Sequence, residues 1–353
     1  MIALLAVAGL LVAPAQAKSW CASPIVVHEW GVQVYRGPAA QPQAVELPDW
    51  FHRLPAAEGV QATPVRSLPA DGGERELPVL QFYAPRLYGG TVPLALELGV
   101  AQGRPSVWYP QADRLYPSRL PGDAGAQLAW DALSLTAEPR AAPHPSSAPW
   151  IADLRAVDEA LWVNRGAETE RFLFYEARTE EQPAVSVAGG QVHNAGPWAA
   201  HDLVVIQRLG GEALVARLDV LGPGQRASLA FEPIAEPVTV LRPWLTDRLL
   251  AAGGVESLAE WSMDMDDCVM MRDPAQPVSL SSGHGLYRAE VDAMLDLWQE
   301  RFFGQRGTVL LYRDDPGALD AMAPLAVYTD MHHFVELSRT GLVLWEGLDL
   351  GAE

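Results

Sequence analysis

The apolar runs of this chain are short, rich in β-branched and aromatic side chains, and closed at both ends by proline or glycine. Between residues 25 and 135 the segments "PIVVHEWGVQVY", "LPVLQFYAP", "VPLALELGV", "PSVWYP" and "QLAWDALSL" all have this form. Segments this short leave no room for long helices, and β-branched side chains pack well on a pleated surface, so each predicts a strand. The expectation is a mainly β fold. Between the first two runs lies the Pro- and Ala-rich stretch "RGPAAQPQAVELPDWFHRLPAAEGVQATP", which reads as a surface excursion.

The same punctuation suggests domains. "EPRAAPHPSSAPW" places four prolines and two serines in thirteen residues, so residues 141–149 are expected to be an exposed linker that proteases cut first. It would follow an N-terminal β domain at 18–140. From 150 to 240 the strands recur every 8 to 15 residues, with Gly-Gly or Pro-Gly between several of them, as in "PAVSVAGGQVHNAG" and "HDLVVIQRLGG". That spacing predicts an immunoglobulin-like β-sandwich. Over 241–353 the period changes. "RPWLTDRLLAAGG" carries Pro243 and Gly253 where a short helix would start and stop. In "GLYRAEVDAMLDLWQERFFG" the set Tyr287, Val291, Met294, Leu295, Trp298 and Phe302 has helical spacing. "TVLLYRD" and "GLVLWEGL" then read as strands, which makes the last third an α/β segment.

Charge and composition exclude several functions. A net charge of -19 argues against nucleic acid as a partner, because binding phosphate requires a cationic face. Of 25 Lys and Arg residues the single lysine is Lys18, so a Schiff-base lysine, a phosphate-loop lysine and a Ser-x-x-Lys nucleophile are effectively unavailable. The opening "MIALLAVAGLLVAPAQA" has the apolar run and small-x-small ending of an export signal over residues 1–17, although no positive charge precedes the run. The expected location is therefore exported, periplasmic or extracellular. No later stretch is apolar for long enough to cross a membrane as a helix. In an oxidising compartment the two cysteines, Cys21 and Cys268, would form one disulfide, the alternative being two buried thiols.

Few motifs carry chemistry. "VVHEWGV" sets His28 beside Glu29, and a divalent metal such as Zn or Cu could use either. On a strand, however, adjacent residues face opposite ways. The face holding Trp30 is the expected core, which makes His28 the buried polar group and turns Glu29 toward solvent or a cleft. "YTDMHHFVEL" offers His332 and His333, with Asp330 on the His332 face if the stretch is a strand, and His28 could complete a metal set with them. "WSMDMDDCVMMRD" gathers four methionines and four aspartates, suggesting Cu(I) or a fragment of a calcium loop. It has neither the glycine nor the glutamate of the latter, and a packed turn explains it equally well. The tryptophans, among them Trp30, Trp50, Trp108, Trp150, Trp198, Trp244 and Trp298, could stack on sugars or fill cores. No Gly-x-Ser-x-Gly elbow and no Gly-x-Gly-x-x-Gly turn occurs, and "SSGHG" is as well explained as a turn.

"VHEWGV" after an apolar leader, followed by "LPVLQFYAP", "SVWYP", "RFLFYEAR" and "LYRAEVDAMLDLWQERFFGQRGTVLLY", resembles a family of exported bacterial proteins with a His-Glu-Trp-Gly-Thr-Phe signature. Val32 and Gln33 stand where that signature has Thr and Phe. The resemblance implies export and a shared fold, not a reaction. The functional expectation is a non-enzymatic binding or assembly module of the cell envelope, with an envelope protein or a glycan as partner. The alternative is a metal-dependent hydrolase using His28, Glu29, His332 and His333.

Overall fold

The computed structural model describes residues 23–40, 45–54, 73–85, 87, 90–117, 126–209, 212–250 and 276–349. The export-signal region, Cys21, Cys268 and the methionine-aspartate segment lie outside the described residues. The chain is mainly β with some helix, as the short apolar runs predict.

The first third forms β1 (Ser23–Arg36), β2 (His52–Arg53), β3 (Gly73–Tyr83), β4 (Val92–Val100), β5 (Gly103–Tyr109), β6 (Arg114–Pro117) and β7 (Ala126–Thr136). The middle forms α1 (Pro149–Arg155), β8 (Trp162–Arg165), β9 (Glu168–Glu170), β10 (Leu173–Thr179), β11 (Val185–Ala188), β12 (Gln191–Asn194), β13 (Ala200–Leu209), β14 (Glu212–Leu221), β15 (Arg226–Ser228) and β16 (Glu232–Ile234). The last third forms α2 (Pro237–Leu249), α3 (Arg288–Gln299), a π-helical turn at Glu300–Gly304, β17 (Gly307–Asp314), α4 (Pro316–Met322), β18 (Leu325–Thr329) and β19 (His333–Leu348).

Ten strands make one sheet in the order β16-β14-β13-β17-β19-β1-β3-β10-β5-β2. It draws strands from all three expected segments. β10, from the middle of the chain, lies between β3 and β5, while β1 pairs in parallel with β19 along its whole length, from Ser23 opposite His333 to Arg36 opposite Glu346. One face of this sheet carries α1, α2 and α3 over a core that includes Trp30, Val32, Phe174, Leu245, Met294 and Trp298. The other face is covered by two smaller sheets. The six-stranded one (β18-β4-β7-β8-β9, with β6 on β7) packs through Leu94, Leu96, Trp130 and Leu133 onto Ile25, Val27 and Phe82. The three-stranded one (β11-β12-β15) packs through Val185 and Val192 onto Leu203, Val205 and Leu310. A strand covered on both faces reads as a nearly continuous apolar run, and β1 does.

Local exceptions have local causes. Pro78 would interrupt a central strand, but the β1–β3 register shifts between Trp30 and Val32, placing Leu77 and Pro78 in a bulge where Leu77 has φ 50°. Gly31 makes room for that bulge. A Cβ there would lie 2.9 Å from both Cα and Cβ of Pro78. Helix α2 begins at Pro237, not at Pro243, which lies inside it. The buried set Leu241, Leu245 and Leu249, four residues apart, requires the earlier start, and Pro237 at the first turn supplies it. The expected linker has no regular structure before Pro149, yet it is tied down: the His144 ring stacks on Trp50, and the His144 carbonyl accepts a bond of 2.7 Å from Arg155 Nη2. No helix among the described residues is long and apolar enough to cross a membrane.

Candidate functional site

Strand alternation in β1 sends His28 and Glu29 to opposite faces of the large sheet, as their spacing predicts. His28 lies on the helix-bearing face and is 4% exposed. Its Nδ1 is 2.7 Å from Glu290 Oε2, and the same oxygen accepts the Tyr287 backbone N–H at 2.7 Å. Glu290 therefore caps the start of α3 and holds the imidazole in one motion, an arrangement that fixes the ring. Tyr287 and Tyr83 flank it with ring centroids at 4.6 and 5.4 Å, and Gln81 and Ser338 are its neighbours in register. Burial and then the Glu290 charge push the Tyr83 hydroxyl well above its ordinary value. Burial also raises the Glu336 carboxyl, against the pull of His28.

Glu29 is not turned toward solvent. It is fully buried, because α4 and β18 cover the face that alternation alone would leave open. Glu29 Oε1 accepts from Arg75 Nη2 at 2.8 Å and from the Tyr175 hydroxyl at 2.6 Å, while Oε2 accepts from Arg339 Nε at 2.6 Å. Burial alone would raise this carboxyl. The Arg339 and Arg75 charges outweigh it and hold the carboxyl below its ordinary value. Arg339 reaches on to Asp320 Oδ1 at 2.9 Å and to the Ala323 carbonyl at 2.7 Å. The result is a buried ion network.

The second histidine pair sits on a turn and not on a single strand. Asp330 Oδ1 accepts the His332 backbone N–H at 2.9 Å and lies 2.7 Å from His333 Nδ1. His332 is exposed, whereas His333 is buried and opens β19. His333 pairs with Ser23 and His28 with Ser338, five residues along, which is about 16 Å at the rise of a strand. An odd separation also puts them on opposite faces. The structure thus does not bring His28, Glu29, His332 and His333 together. Among the described residues no group of three or more His, Cys, Asp or Glu is placed to hold a metal. The serines of "SSGHG" are committed as well, Ser281 Oγ to Asp320 at 2.9 Å and Ser282 Oγ to the Leu337 carbonyl at 2.9 Å.

An open cleft of about 540 Å³ lies instead on the six-stranded sheet. Pro93 and Ala95 of β4, Asp131 and Ser134 of β7, Tyr328 of β18, and Arg140 from the connection after β7 line it, together with Asp330. Beneath them Asn164 is 3% exposed and acts as a hub. Its Nδ2 donates to Thr136 Oγ1 at 2.8 Å and to the Ser134 carbonyl at 3.1 Å. Its Oδ1 accepts from Thr169 Oγ1 at 2.7 Å and from the Arg140 backbone N–H at 3.0 Å. The base of the cleft is therefore rigid, and its rim carries donors and acceptors. Sequence patterns pointed elsewhere, since Arg140 stands beside the proline-rich connection and Tyr328 in an ordinary edge strand. Of the tryptophans considered for sugar stacking, Trp30, Trp108, Trp150 and Trp298 are core, and Trp198, 43% exposed, lies over Gly317. No protein-family model matches the chain, and no curated protein matches it either.

Proposed function

We propose that the chain is a non-enzymatic binding protein of the cell envelope, exported through its apolar opening segment, and that its ligand sits in the cleft of the six-stranded sheet. The cleft carries this reading. It has the size of a small-molecule site and a fixed floor built on Asn164, and it offers side chains that are not all consumed by the fold. His28 and Glu29 favour the same reading by contrast. His28 Nδ1 is engaged by Glu290 and both Glu29 oxygens by Arg75, Tyr175 and Arg339, each residue on its own side of a central strand, which leaves them positioned to hold layers together.

The test is thermal unfolding of the protein against a panel of envelope-derived oligosaccharides and small organic acids, repeated with Ser134→Trp to fill the cleft. A ligand at a hundred times its Kd stabilises by about 2.7 kcal/mol, well within detection. Hits lost in Ser134→Trp support the proposal. Hits that survive the filled cleft place binding elsewhere and overturn it, as would stoichiometric zinc or copper in protein purified without added metal and lost on His28→Ala.

A further inference from the structure

The charges around the cleft are unequally satisfied. Asp131 Oδ1 accepts from Arg114 Nη2 at 2.6 Å, outside the cleft, and Asp330 Oδ1 is taken by His333 and the His332 N–H. Arg140 has no such counterpart. Its Nη2 donates to the Thr91 hydroxyl at 3.0 Å, and it has no carboxylate partner among the described residues. In a chain of net charge -19, this leaves Arg140 in the cleft lining as a cation without a carboxylate partner among the described residues, while the cleft's own carboxylates each have partners of their own. Such a guanidinium presents a planar fork that matches a carboxylate. Beside it the half-buried Tyr328, with Pro93 and Ala95, offers apolar surface. The Ser134 hydroxyl and the outer oxygens of Asp131 and Asp330 can bond to hydroxyls.

We infer that the cleft takes a saccharide bearing a carboxylate, a glycan of the uronic-acid type, with that carboxylate on Arg140, the face of the sugar against Tyr328 and its hydroxyls toward Asp131, Ser134 and Asp330. This rests on the cleft being the ligand site and adds the ligand's chemical class.

Titration calorimetry of the full chain with a galacturonate tetrasaccharide, a neutral glucan tetrasaccharide and inorganic phosphate tests it. The uronate binds tighter than the glucan by about tenfold or more, the size expected of one charge-assisted contact. Its affinity falls as salt rises. Arg140→Gln removes the preference and the salt dependence, while Tyr328→Ala weakens both saccharides. Equal binding of the two saccharides, or phosphate binding as tightly as the uronate, overturns the inference. If Tyr328→Ala still weakens the saccharides in that case, the cleft remains the ligand site. Binding that neither variant alters removes the cleft as the site, and with it both readings. Failure of wild type to bind either saccharide overturns the assignment of a sugar ligand but not of a cleft ligand of another class.

Discussion

Glu29 has no exposed surface, and three side chains from three other strands donate to its two oxygens. Removing it leaves the Tyr175 hydroxyl as the only side-chain hydrogen-bond partner of Arg75, 3% exposed, among the described residues. Breaking a buried ion pair from one side costs about 3–5 kcal/mol, whereas an orphaned buried acceptor costs about 1–3. Glu29→Ala is therefore expected to destabilise more than His28→Ala, which strands only Glu290, and urea unfolding of both variants ranks them. The pH dependence follows in sign. A carboxyl held below its ordinary value of 4.5 contributes stability that is present above that pH and lost as pH falls through the lower folded value. Glu176 behaves oppositely. Burial, then Glu76 and Glu74, push it to about 8, so its favourable contribution, complete below 4.5, disappears as pH rises through 8. Glu176→Gln is expected to unfold like wild type at pH 4 and at a higher temperature than wild type at pH 9. Equal melting temperatures at pH 9 would contradict it. Alternation in "VHEWGV" was enough to place His28 and Glu29 on opposite faces and His28 inside. What covers the Glu29 face comes from residues 316–329, some three hundred positions away, and no local pattern carries that information.

At the scale of elements, strands bounded by Pro or Gly were legible because their boundaries are local chemistry. "VPLALELGV" corresponds to β4 residue for residue. Pairing was not legible. β1 and β19 lie side by side because the ends of the chain bring apolar strands into one sheet, and parallel pairing leaves no turn signature between them. The turn at Asp330–His332 has no obvious signature, because its turn chemistry is a carboxylate binding the backbone two residues on, hidden between apolar runs. The bulge opposite Gly31 supplies a test at this scale. The obstructing atoms are the backbone and ring of Pro78, which cannot swing aside, so Gly31→Ala must move β3 away from β1. Overpacking of that kind costs about 1–3 kcal/mol, and the loss is expected in the urea midpoint. An unchanged midpoint would mean that the bulge relaxes freely.

Over the whole molecule, the segments 18–140, 150–240 and 241–353 contribute interleaved strands to the large sheet, and the six-stranded sheet also crosses those bounds, since β18 pairs with β4 and β8 with β7. Proline density is high over 141–149, of which 141–148 have no regular structure and Pro149 opens α1. It did not report that His144 stacks on Trp50, or that β10 enters between β3 and β5, because those contacts depend on sheet order and not on composition. Cutting the chain there should then behave unlike cutting between domains. A protease that nicks near Ser146 or Ser147 leaves each fragment holding strands that the other needs: β3 and β5 on one side, β10 on the other. Separating them would expose the buried faces of Leu80, Val79, Leu173 and Phe174 together with unpaired strand edges, which are strongly disfavoured in water. Nicked protein is therefore expected to elute from gel filtration at the volume of the intact chain, to melt in one transition, and to hold together until denaturant is added. Two peaks under native conditions would show instead that the shared sheet is too weak to hold the halves together.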